Sequence, residues 1–227
     1  MQFDLKVYRF VFVYLLSVVL LNGCNSPVDP KTEKDSTERI EPFTPPATLL
    51  EGQNFQKGSF TDSRDGHTYK TVKIGDQVWL AQNLNYVTEE GSWPVPGDST
   101  GMQFGRFYTW EAAKKAVPPG WHLPSQQEFE DLAATLGVTD LPNWNDLYPL
   151  LIEGGITGFD VQLTGSHKEA YSKRDQSAAF WSSEKGWKIL SFSRNPWRLS
   201  VRAPNYVNIG NGADSDYGFN VRCIRDE

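Results

Sequence analysis

The chain has 227 residues and a formal charge of −6 at neutral pH, a length that suits one domain plus a tail and an acidic balance that argues against nucleic acid, which requires basic patches. No charge block is long enough to form a polyanion-binding arm. An aromatic content of 13%, with frequent Gly and Pro, fits a loop-rich extracellular domain packed on tryptophan.

The N-terminus has the parts of a secretory signal. Lys6 and Arg9 supply positive charge, diluted by Asp4, and residues 11–21 are almost unbroken apolar. That run is too short to span a bilayer. Its ending, Leu21-Asn22-Gly23-Cys24, resembles the bacterial lipobox. The resemblance implies that residues 1–23 are removed and that Cys24 carries a diacylglyceryl group. A multiply acylated cysteine meets the requirement for stable anchoring, with each buried methylene adding about 0.8 kcal/mol. The expected address is the cell envelope, on the periplasmic or outer face of the outer membrane. An ordinary signal peptide that ends near a cysteine is the alternative.

Residues 24–55 read as a flexible linker. Pro27, Pro30, Pro42, Pro45 and Pro46 are spread among charged and hydroxyl residues, and such a stretch buries too little apolar surface to offset its ordering entropy. It would act as a semi-extended spacer. Asp29 gives only a weak acidic export tag.

The folded domain is expected over 56–227. Asp65-Gly66 marks a hairpin turn, and 68–74 and 77–80 read as strands around Gly75-Asp76. The string from Asp62 to Gly66 looks superficially like a calcium loop but lacks the later ligands and the bidentate Glu. A first helix over 109–116 places Trp110, Ala113 and Val117 on one face and ends at Pro118-Pro119. Ser125 with Glu128 forms a capping box for a second, with Phe129, Leu132, Ala133 and Leu136 as its apolar stripe and Gly137 as its stop. Glu128, Glu130 and Asp131 complement that helix's dipole; a catalytic carboxylate pair is the sharper alternative. From Phe159 the chain turns β, with strands expected over 159–163, 179–182, 187–192, 197–202 and 217–224. Arg198, Ser200 and Arg202 alternate with Leu199 and Val201, and Phe219, Val221 and Cys223 alternate with Asn220 and Arg222. The fold class is α+β, two helices with a mostly antiparallel sheet.

Four strings, FTDSRDGHTYKTVKIGDQVWLAQNLN, FGRFYTWEAAKKAVPPGWHLPS, FWSSE and YGFNVRC, together resemble the Fibrobacter succinogenes major paralogous domain, in order and over about 58–227. The family occurs in secreted and lipid-anchored bacterial proteins and has no established activity. The resemblance implies a C-type-lectin-like fold with long loops, in the broad group containing the formylglycine-generating enzymes. Trp79, Trp110, Trp121 and Trp181 then read as scaffold. Relatives usually carry a cysteine where this chain has Val117, and its partner is implied to match Cys223. Here Val117 and Cys223 are expected to make an apolar contact instead.

The expected function is a non-catalytic binding module for glycan or a cell-surface protein, with no cofactor; a structural or adhesion component is the alternative, and an enzyme a more distant one. Trp93, Trp187 and Trp197, near turn residues and outside the family strings, are the candidate ligand contacts, since sugar faces stack on aromatic rings. Trp144-Asn145-Asp146 spells a lectin sugar motif in the wrong place, without its companion triplet. Asp214 and Asp216 are weak calcium candidates; an acidic hydrated loop is the plainer reading. His67, His122 and His167 lack convergent partners at zinc spacing. Copper chemistry of the formylglycine type requires a cysteine pair, and only Cys223 follows Cys24. No Gly-x-Ser-x-Gly elbow appears, and nothing points to a glycosidase carboxylate pair.

Overall fold

A computed structural model describes residues 53–139, 144–168, 170–186 and 195–226. Cys24, the signal and the linker to residue 52 lie outside the described residues, as do Trp187 and the strand expected over 187–192. Phe55 packs on the core, and Gln53 Nε2 donates to the Thr135 carbonyl at 3.2 Å.

The first elements follow the local signals. β1 (Gln56–Thr61) and β2 (Thr68–Ile74) form an antiparallel hairpin, and β3 (Gln77–Leu80) continues it. Inside the first turn the buried Asp62 carboxylate is gripped by Arg64, whose Nη2 reaches Oδ2 at 2.6 Å. β4 (Ser92–Pro94) and β5 (Arg106–Tyr108) form a small ribbon. α1 (Trp110–Ala116) starts at Thr109, whose hydroxyl accepts from the Ala112 N–H at 3.2 Å. At its far end Arg64 donates to the Ala116 and Val117 carbonyls at 2.7 and 3.1 Å, placing positive charge at the helix C-terminus. β6 (Trp121–His122) leads into α2 (Gln126–Thr135), which has both halves of the Ser125–Glu128 capping box.

A 3-10 turn (Asn145–Leu147) and α3 (Tyr148–Leu151) come next. The second half contains the hairpin β7 (Ser166–Lys168) and β8 (Ala170–Ser172), then β9 (Ser177–Lys185), β10 (Pro196–Arg202), β11 (Tyr206–Asn211) and β12 (Ile224–Arg225). The larger sheet has the order β1-β2-β3-β12-β6 and a second has β11-β10-β9; the pairings between these strands are all antiparallel.

Strand alternation divides the interior into two apolar clusters. One takes Val72, Trp79, Phe180, Leu199 and Val201 together with Phe129 and Leu132 of α2. The other takes Tyr69, Leu80, Ala179, Trp181 and Cys223 together with Trp110 and Ala113 of α1. Val117 packs against this second cluster, so it shares an apolar neighbourhood with Cys223. Trp79 and Trp181 are fully buried and Trp110 and Trp121 nearly so; burying a large apolar side chain contributes about 1.5–3 kcal/mol. Among the described residues no helix is long and apolar enough to cross a membrane.

Several expected elements differ. Residues 159–163 are not a strand: Asp160 takes φ of 53°, and Val161 makes a single parallel bridge to Ile152. Of 217–224 only Ile224 lies in a strand. The rest threads between layers, with single bridges from Phe219 to Tyr108 and from Asn220 to Phe180. The Asn220 and Arg222 side chains are therefore buried along with Phe219 and Val221, and no outward face exists. α3 brings the described helices to three. Trp144 begins the 3-10 turn and is buried, which removes Trp144-Asn145-Asp146 from any late lectin strand.

Candidate functional site

Trp93, one of the tryptophans expected to meet ligand, lines a groove. It lies in β4 opposite Phe107 of β5, and its half-buried indole helps line an open groove of about 570 Å³. One wall is the loop of Tyr86 to Gly91 and the other is α1, which presents Glu111, Ala112 and Lys115.

The loop is seated on the start of α1. The Thr109 N–H donates to the Gly91 carbonyl at 2.8 Å, and Gly91 takes φ of +73°, where a Cβ would meet Thr109 Oγ1 at 2.7 Å. Only glycine suits that position. Within the loop the Thr88 hydroxyl donates to the Glu90 carbonyl at 2.7 Å.

The indole is held from behind. Trp93 and His167 stack with ring centroids 4.3 Å apart and planes 22° apart. His167 meets Tyr171 edge-on at 4.7 Å, and Tyr171 lies 6.0 Å from Phe107. His167 reaches this place because its backbone exchanges hydrogen bonds with Gly218 at 2.9 and 2.6 Å. Gly218 lacks a Cβ that would come within 2.9 Å of the His167 Cβ. Burial holds the His167 pKa below its usual value, so the ring is neutral at physiological pH. A neutral, braced aromatic stack is a rigid platform, and rigidity lowers the entropy cost of binding. Around it Glu89, Glu90 and Glu111 supply carboxylate acceptors and Lys115 a donor, the mixture of apolar surface and convergent polar groups that ligand grooves use. Glu111 is partly occupied by Lys114 at 2.8 Å.

Trp197 is elsewhere. It sits in β10 opposite Asn211 of β11, outside the residues that line the Trp93 groove. Asp214 and Asp216 face the Lys168 ammonium, at 3.1 and 3.7 Å, which already meets their negative charge. Among the described residues no group of three or more His, Cys, Asp or Glu side chains is arranged to hold a metal ion.

One titratable cluster, as a whole, has no local signature in the sequence. His122 Nε2 lies 2.6 Å from Glu128 Oε1 and Nδ1 lies 2.7 Å from Asp226 Oδ1. Burial would lower the His122 pKa, but the two carboxylate hydrogen bonds outweigh it and hold the pKa above the usual value. Burial would likewise raise that of Glu128, yet the Ser125 N–H and His122 keep it low. Both imidazole nitrogens are thus committed to carboxylates, and neither is free to take a substrate proton. The cluster ties elements together; the Glu128 capping position was the only part of it visible locally.

The sequence profile described as the Fibrobacter succinogenes major domain matches residues 72–225. No curated protein and no solved structure matches the chain.

Proposed function

The chain belongs to the Fibrobacter succinogenes major domain family, and from that premise we propose that it is a non-catalytic binding module that takes a glycan in the Trp93 groove. The observation that carries this reading is the braced indole: Trp93 is stacked on neutral His167 and lines a groove edged by carboxylates. Sugars present apolar C–H faces to aromatic rings and hydroxyls to carboxylates. A protein ligand is the second reading, favoured by Val87, which lines the same groove and is 64% exposed. Catalysis has less support, because the histidine best placed among acids has both nitrogens engaged.

Two further parts belong to the proposal. The lipobox-like ending at Cys24 supports a lipid anchor at the cell envelope, and Cys24→Ser is expected to abolish fatty-acid labelling and membrane retention; unchanged retention would count against it. The architecture supports a C-type-lectin-like variant, since α1 and α2 pack into the two apolar clusters built with antiparallel sheets.

A glycan array probed with the full chain, with and without calcium, tests the binding reading. Signal on one glycan class, lost with Trp93→Ala, is the expected result. No signal on any glycan would transfer the groove to a protein ligand.

A further inference from the structure

A second groove, of about 220 Å³, lies against β10 and the segment of Gly212 to Phe219. Its charged lining is of one sign: Lys173, Arg198 and Arg202, with no carboxylate among the lining residues. This is unexpected in a chain of net charge −6.

Arg198 is half-buried, whereas Lys173 and Arg202 are exposed. The period-two pattern of β10 sends Leu199 and Val201 into the first apolar cluster and leaves Arg198 on the opposite face, in register with Trp181 of β9. The guanidinium lies over the Phe219 ring at 5.6 Å. Its Nη1 is shut off from solvent with no hydrogen-bond partner. No carboxylate among the described residues is within ion-pair distance of Lys173, Arg198 or Arg202. Asp214 and Asp216, in the same segment as the lining residues Gly212 to Phe219, are held by Lys168. Burial lowers the Arg198 pKa, and Arg202 adds like-charge repulsion.

A contact with one aromatic face does not replace lost N–H hydrogen bonds. Arginine is charged at any physiological pH, so the fold carries a partly desolvated cation without a counter-charge, an arrangement that costs stability. A guanidinium is matched in shape to a carboxylate or sulfate, which it binds through two parallel N–H donors. Ser177 and Ser200, in the same lining, add hydroxyl donors for the remaining oxygens.

We propose that the groove at Arg198 is an oxyanion site for the carboxylate or sulfate group of a ligand. The site is separate from the Trp93 groove and does not depend on it. The group comes either on a free small acid or on an acidic sugar chain.

The test uses the full chain, with glucuronate, sulfate and trigalacturonate as probes, maltotriose as the neutral control, and calorimetric titration as the readout. At least one anion is expected to bind saturably to the wild-type chain and to lose about tenfold or more in affinity with Arg198→Gln. Arg198→Lys, which keeps the charge and loses the fork, is expected to weaken binding as well. Lys70→Gln, on β2 of the other sheet, is expected to leave it unchanged. Arg198→Gln is also expected to hold or raise the melting temperature in the absence of anion, since it removes an uncompensated charge. Trigalacturonate binding without glucuronate binding assigns the group to a sugar chain, and the converse to a free acid. Failure of all three anions to bind, equal affinity in Arg198→Gln, or a large fall in its melting temperature without anion would overturn the proposal.

Discussion

Arg222 shows how one side chain can hold the layers together. It is fully buried and donates through Nε to Asn83 Oδ1 at 2.9 Å, through Nη1 to the Leu80 carbonyl at 3.2 Å and to the Phe159 carbonyl, and through Nη2 to the Asp160 carbonyl at 2.8 Å. Its cation also lies 5.0 Å from the Phe159 ring and 5.5 Å from Phe180. Burial pushes its pKa down, but the ring of neutral acceptors solvates the charge in place of water. Lysine cannot reproduce that fan of donors. Arg222→Lys is expected to lower stability by about 3 kcal/mol in chemical denaturation; a loss below about 0.5 kcal/mol would contradict this role. The alternation of residues 219–223 suggested a half-exposed strand. The segment instead crosses between layers, and a cation satisfied by distant carbonyls leaves no local trace in sequence.

At the scale of elements, His122 fastens β6 to the start of α2 through Glu128 and to Asp226 just past β12. The sign of the pH dependence follows from the two shifts. The folded pKa of His122 is raised, so its contribution is full below the unfolded value and is lost as pH rises through the folded one. The folded pKa of Glu128 is lowered, so its contribution is present above the unfolded value and is lost as pH falls through the folded one. Stability is expected to peak on the acid side of neutrality and to decline through the His122 titration, whereas His122→Gln flattens that alkaline limb. A wild-type limb as flat as the variant's would remove the strap. Both principal helices and β2 and β3 were legible because caps, turn glycines and apolar spacing act within a few residues. Two-residue strands such as β6 and β12 have no pattern to read, and the His122–Asp226 contact joins positions 104 residues apart.

For the whole molecule, Trp93 was recognisable as a ligand candidate because a tryptophan beside Gly91 and Pro94 stands outside the scaffold strings. Its bracing by His167 was not, because β7 meets β4 only through the tertiary fold, across the Gly218 cross-tie. The same folding takes Trp197 to another part of the surface. Titrating the full chain, Trp93→Ala and Trp197→Ala with the glycan selected on the array tests the account most directly. Loss of about tenfold or more in affinity for Trp93→Ala, with Trp197→Ala matching wild type, is the predicted result. Equal affinity for wild type and Trp93→Ala would contradict it.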